Sequence, residues 1–236
     1  MRAACVWFLL GERYNPGIME AEFWHQRWQN NRIGFHQESI NPYLQAHWSG
    51  LNLPAGSLVF VPLCGKSRDM VWLAEQGYAV MGVEISELAV AAFFEEQGLT
   101  PRVTRTPRFQ RWRHDGLTIL CGDFFDLTAD DAGQIQGLYD RAALIAFPAD
   151  QRRRYVQHLT GLLPETLVGL LITLDYPPLE MEGPPFAVTD EELRSLFPVE
   201  FKLERVAGRN CLNDSPRFRE RGVSRLIETA YSLQRG

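Results

Sequence analysis

From residue 58 onward the chain alternates two hydrophobic rhythms. Mostly apolar runs at 58–64, 79–84, 117–121 and 167–174, with a shorter one at 137–139, offer no polar face to water. Strands covered on both sides are written this way. Between them, apolar residues return every three or four positions. Met70, Val71, Leu73 and Ala74 share one face of a helix predicted from Ser67, its N-cap, to about Gln76, with Gly77 at the C′ position. Ser86 caps a second helix over 88–97 that stops at Gly98, and a third covers 150–162. Strand and helix in alternation predict a parallel sheet with helices on its faces. Pro62 has no N–H to give a ladder, so it must sit near the end of the first strand.

Elsewhere the pattern changes. Residues 100–120 are amphipathic and predict a short hairpin before the 117–121 strand, whereas the proline-rich stretch 175–188 predicts a loop. Thr189 and Glu192 have the spacing of a capping box for a helix ending near Phe197. The closing segments 200–206 and 224–233 alternate apolar and polar residues, as antiparallel strands do. The apolar run 3–10 is too short to cross a membrane and is not followed by a small-residue cleavage site. Residues 1–18 are therefore expected to be an extension outside the domain, with Met19 the functional start.

Composition narrows the class. A chain of 236 residues with 45% hydrophobic content can bury the core of one α/β domain. A formal net charge of -5 gives no general attraction for phosphate backbones, which argues against a nucleic-acid partner. Five arginines between Arg102 and Arg113, with Phe109 and Trp112 among them, fit either a solvated charged hairpin or a base-stacking patch. Cys5, Cys64, Cys121 and Cys211 are too widely spaced for a zinc knuckle or dithiol pair, so no metal is expected and a reducing cytoplasm is the expected location.

In an open α/β sheet, ligands bind beyond the carboxyl ends of the strands. The residues there are Leu63-Cys64-Gly65, Glu84, Gly122-Asp123 and Asp140-Arg141. The first turn holds one glycine rather than the G-x-G-x-x-G that receives a pyrophosphate, which disfavours a nicotinamide or flavin dinucleotide. Glu84, about twenty residues on, is placed either to accept both hydroxyls of a ribose or to be an exposed strand-end carboxylate. Asp123 could meet an adenine amino group with Phe124 packed on the ring. Arg141 is either an anion binder or half of a surface pair with Asp140. Trp24 and Trp28, four apart on a predicted helix before the sheet, are either core or a lid over a cofactor.

The segments W-H-Q-R-W (24–28), I-G-F-H-Q (33–37), V-P-L-C-G-K (61–66), G-V-E-I-S-E-L (82–88), C-G-D-F-F-D-L (121–127), Y-D-R-A-A-L (139–144) and G-P-P-F (183–186) together resemble thiopurine S-methyltransferases, especially the bacterial form. The likeness runs in order from about Met19 to the C-terminus. It implies a Rossmann-like class I methyltransferase fold: a seven-stranded, mostly parallel sheet with an antiparallel last strand. It also implies S-adenosylmethionine as cofactor, touching Trp28, Leu63, Glu84 and Arg141 with its adenine near Asp123 and Phe124. Phe35 would line the acceptor site, and Arg217 would face the acceptor.

The expected acceptor is a small thiol, a selenol or a metalloid compound, and the expected state a monomer without membrane or nucleic-acid partners. Metalloid resistance is the expected biological context. Methyl transfer from a sulfonium is an in-line displacement, and alignment can supply about 7–11 kcal/mol of its barrier. No residue is placed by the sequence as a general base, so Arg141 and Arg217 are expected to orient an acceptor that ionises by itself. The rivals are a nicotinamide oxidoreductase and a non-catalytic binding protein on the same fold.

Overall fold

A computed structural model of the chain describes residues 21–236; the expectations for residues 1–18 and for Met19 lie outside the described residues. In chain order the elements are α1 (Ala21–Gln29), α2 (Pro42–His47), β1 (Leu58–Val61), α3 (Asp69–Glu75), β2 (Ala79–Glu84), α4 (Glu87–Glu96), β3 (Arg102–Arg105), β4 (Gln110–His114) and β5 (Leu117–Cys121). There follow α5 (Ala129–Ala132), β6 (Ile135–Arg141), α6 (Ala149–Leu162), β7 (Leu167–Asp175), α7 (Asp190–Leu196), β8 (Phe201–Asn210), α8 (Pro216–Glu220) and β9 (Ile227–Arg235).

One sheet joins the strands in the order β3-β4-β5-β2-β1-β6-β7-β9-β8. Strands β5, β2, β1, β6 and β7 are mutually parallel, and β9 runs antiparallel to both β7 and β8. These seven make the predicted sheet with its antiparallel last strand. The sheet reaches nine because β4 pairs antiparallel with β5 and β3 with β4. The arginine-rich segment is thus a charged edge hairpin, with all four β3 residues exposed.

Side chains alternate between the two faces with the strand period of two. Val59 and Val61 join one buried cluster with Trp48, Met70, Phe93 and Tyr139. Phe60, between them, joins the other with Phe124, Tyr155, Leu159 and Leu171. The N-terminal segment is tied to the sheet through a buried polar chain. Asn41 caps α2 by accepting from the Tyr43 and Leu44 amides, and its own N–H donates to Asp69 Oδ1 at 2.8 Å. The other Asp69 oxygen accepts from the Tyr139 hydroxyl at 2.8 Å. Both Asp69 oxygens are thus satisfied, which makes the burial of the carboxylate tolerable, although the Asn41 side-chain NH2 has no partner.

Two caps differ from expectation. Arg68, not Ser67, holds the N-cap of α3, and the Ser67 hydroxyl accepts instead from the Asp69 amide at 3.3 Å. Thr189 does cap α7 through the Glu192 amide, but the Glu192 carboxylate does not return the bond, because it is paired with the buried Arg152. A tertiary ion pair has displaced the local half of the box.

Candidate active site

The carboxyl ends of the parallel strands open into one cleft of about 2140 Å³. Its floor includes two strained turns. Leu63, just after β1, has φ +47°, and Ala142, just after β6, has φ +67°. Non-glycine residues avoid this region, and such conformations gather at functional sites where the surrounding structure holds them. Gly65 also has φ +53°, and a Cβ there would lie 3.1 Å from the Trp28 ring. That close approach explains the single glycine of the first turn.

Glu84 is not an exposed strand-end carboxylate: it is 6% exposed. Oε2 accepts from the Gly65 amide and Oε1 from the Ser86 amide, both at 2.9 Å. Burial pushes its pKa up to about 7, opposed by these amides and by the Trp28 side chain, which also bonds it. These contacts hold the carboxylate in the wall of the cleft.

The Asp140–Arg141 pair does not form. Asp140 is fully buried and accepts from the Tyr155 hydroxyl at 2.7 Å and the Leu144 amide at 3.2 Å. Arg141, one residue on and therefore on the other side of β6, lines the cleft and donates from Nη2 to the Phe35 carbonyl at 3.2 Å. Arg217 arrives from α8 at the same segment. A Cβ on Gly34 would overlap Arg217 Nη1, so the glycine of I-G-F-H-Q makes room for that guanidinium. Phe35, Arg141 and Arg217, far apart in sequence, are thereby gathered at one end.

Helix α1 covers this end. None of its residues is fully buried, which decides against a core stripe. Trp24 and Trp28 both meet the Phe35 ring edge to face, at centroid distances of 5.7 and 5.4 Å. His36 follows, and burial together with nearby Lys66 and Arg141 holds its pKa below 6.5.

At the β5 end, Asp123 accepts from the Phe125 amide at 2.8 Å and caps the short turn over Phe124–Asp126. Phe124 is 5% exposed and packs among Phe60, Tyr155 and His158, which leaves little of its ring for a ligand. Phe125 is the more open aromatic, with the Arg154 guanidinium 3.9 Å over its centroid. Sequence reasoning also missed Glu228 of β9 and Arg209 of β8, partners in register across the two strands and both in the cleft wall. Burial raises the Glu228 pKa, with Arg141 and Arg209 opposing. Among the described residues, no group of three or more His, Cys, Asp or Glu side chains is arranged to hold a metal, and no helix is long and apolar enough to cross a membrane.

Residues 19–236 match the sequence model of the thiopurine S-methyltransferase family. A thiopurine S-methyltransferase of Pseudomonas aeruginosa (strain LESB58) is 51% identical over 218 residues, covering 92% of this chain and 100% of the relative. One from Nitrosospira multiformis is 49% identical over 91% of this chain and 98% of the relative. Among solved structures, a SAM-dependent methyltransferase from Anabaena variabilis superposes with a TM-score of 0.63 at 15% identity, covering 94% of this chain and 98% of that one. Magnesium protoporphyrin IX methyltransferase from Synechocystis, solved with bound SAM, gives 0.59 at 16% identity, covering 94% and 100%.

Proposed function

As the chain belongs to the thiopurine S-methyltransferase family, we propose that it methylates the sulfur of small thiol-type acceptors with S-adenosylmethionine as donor. Selenols and metalloid anions, which are equally soft, fall within the same reading. Bound S-adenosylmethionine supplies an electrophilic methyl group on a sulfonium; everything else is the work of the chain's own residues. The observation that carries the reading is Glu84. It is a buried carboxylate fixed by two backbone amides, lining the cleft at the strand end where a ribose diol would be met.

In this reading Leu63 and Trp28 line the donor site beside Glu84, Asp123 stands at its adenine end, and Phe124 supports that end from within the core. Arg141 and Arg217 face the acceptor and favour its anionic form, since a neighbouring positive charge lowers the pKa of an acid. Phe35, with Trp24 and Trp28 above it, excludes water from the nucleophile. Residues 19–236 act as one unit, with α1 as its cover. The protein works as a monomer in the cytoplasm.

Calorimetry on the purified protein tests the donor half. Glu84→Ala should weaken S-adenosylmethionine binding by about 1.5–3 kcal/mol, the usual loss for charge-assisted hydrogen bonds. Unchanged affinity would remove Glu84 from the site and the ribose reading with it.

A further inference from the structure

Three of the buried carboxylates have spoken-for oxygens. Asp69 accepts from Asn41 and Tyr139, Glu84 from Gly65 and Ser86, and Asp140 from Leu144 and Tyr155. Glu228 differs. Its side chain lines the cleft, is half-buried rather than buried, and has neither a hydrogen bond nor an ion pair among the described residues.

The donors around it are engaged elsewhere. The Tyr139 hydroxyl donates to Asp69, and the Tyr43 hydroxyl to the backbone carbonyl of Glu228 itself. Arg141 donates to the Phe35 carbonyl and Arg209 to Asp214. Both guanidiniums act on Glu228 only through space. Cys211, the remaining titratable neighbour, has its thiol turned to the Leu226 carbonyl at 3.6 Å. A half-buried carboxylate in a cleft wall, raised in pKa by burial, flanked by two arginines and bonded to neither, is free to take a ligand or a proton.

Its place in the sheet fits such a use. Because β9 runs antiparallel, its first residues lie where β7 ends, with Glu228 opposite Leu174. Glu228 therefore stands at the same carboxyl edge as Arg141 and on the acceptor side of the cleft.

We propose that Glu228 is the proton acceptor for methyl acceptors that enter as neutral thiols. This rests on the methyltransferase reading above. The acceptor S–H bond breaks, its proton forms an O–H bond on the Glu228 carboxylate, and its electron pair stays on sulfur as a thiolate beside Arg141. Net charge at the site is unchanged, and no further reactant is needed. Burial keeps Glu228 above the ordinary glutamate range of 4.5, which brings it closer to the thiol whose proton it takes. Arg141, Arg209, Tyr43, Tyr139 and Cys211 are the charged and titratable groups that face it. His36, which follows Phe35 and lies near Lys66, Glu96 and Arg141, is the rival base.

The first measurement needs no methyl donor. An aromatic thiol whose thiolate absorbs at its own wavelength is titrated into the protein in buffers of different ionisation enthalpy. With Glu228 as acceptor, thiolate absorbance appears on binding while the buffer receives almost no proton. Release of a full proton for each thiolate formed overturns the proposal.

The second measurement compares turnover of acceptors that are protonated at the assay pH with acceptors already ionised. Glu228→Gln should lower kcat for the protonated class by about 100-fold or more, and for the ionised class at least tenfold less. Equal losses in both classes would make Glu228 a structural residue. Loss of the same discrimination in His36→Asn, but not in Glu228→Gln, would move the role to His36. If Glu228→Gln does not fold, the proton count on the unaltered protein decides. Donor affinity measured alongside separates the two levels of the argument: a protein that binds no S-adenosylmethionine refutes the methyltransferase reading, whatever Glu228 does.

Discussion

Glu84 and Glu228 are both glutamates at the carboxyl edge of one sheet, the first buried and the second half-buried, and both raised in pKa by burial. They are held in opposite ways. Glu84 ends a parallel strand, and its two oxygens take amides from residues 65 and 86, in the adjoining turns. Glu228 stands near the start of an antiparallel strand and takes no donor among the described residues. A carboxylate fixed by backbone amides keeps its position and orientation whether or not a ligand is present, as a binding fixture must. One without donors retains its basicity for chemistry. On the proposed reading, the donor half of the cleft is built by local chain geometry, and the acceptor half by tertiary assembly of segments around residues 34, 141, 209, 217 and 228.

The largest effect should come from removing the cation that serves the acceptor half. Arg141 makes a charge-assisted bond to the Phe35 carbonyl and faces the cleft. Arg141→Ala should lower kcat/KM for anionic acceptors by about 3 kcal/mol, somewhat more than a hundredfold. Arg141→Lys should recover only part of this, because an ammonium cannot reproduce the planar fork. Steady-state kinetics on both variants would show it. A full rescue by lysine would reduce Arg141 to a point charge and blur the contrast with the geometrically fixed donor side.

How much of this was legible in the sequence follows the same division. The strands β2 and β5 and the helix cap at Ser86 depend on near neighbours, and they lie where the pattern put them. Glu84 could be found because the rule for open sheets looks just after each parallel strand. That rule cannot find Glu228, since an antiparallel strand brings its beginning to this edge. The available signal was an acidic residue inside the mostly apolar stretch 226–231. Nor could spacing show that Gly34 leaves room for Arg217, 183 residues later, or that Glu192 would prefer Arg152 to its own helix cap. Phe124 and Phe125 are adjacent and equally aromatic, and only tertiary packing of the first against Phe60 and Tyr155 decides which one is buried.

Next in size is the pH dependence of donor binding. A ribose diol donates to the carboxylate, so binding favours ionised Glu84, whose pKa in the ligand-free protein is about 7. S-Adenosylmethionine affinity should therefore rise as pH increases from 6 to 8 and flatten above, by up to about 1.4 kcal/mol per pH unit below the pKa. Calorimetry across that range measures it. Affinity independent of pH would mean that Glu84 is already ionised at pH 6 or does not meet the diol.

A smaller effect tests the assembly of the acceptor half. Gly34→Ala puts a methyl group where Arg217 Nη1 lies. Because that atom is the far end of a flexible side chain, it should move aside rather than unfold the protein. Acceptor KM should rise by roughly tenfold, about the worth of one charge-assisted hydrogen bond, with donor affinity unchanged. A change in donor affinity instead would show that the two halves are coupled through α1.

The smallest effect concerns stability alone. Burial raises the pKa of Glu228 above 4.5 in the folded protein, so the folded state binds its proton more tightly than the unfolded state does. Such a group contributes stability that is fully present below the unfolded pKa and is lost as pH rises through the folded one. Glutamine has the shape of a protonated glutamate and cannot ionise. Ligand-free Glu228→Gln and the unaltered protein should therefore unfold at nearly the same denaturant midpoint near pH 4, with the variant the more stable at pH 8. Glu84 and Asp140, raised to about 7 and about 6, drift in the same direction, but they are present in both proteins and cancel in the difference. The opposing pull of Arg141 and Arg209 keeps the gap small. A variant less stable at pH 8 would mean that the carboxylate is needed to hold those two arginines, in which case Glu228 is as much a fixture as Glu84.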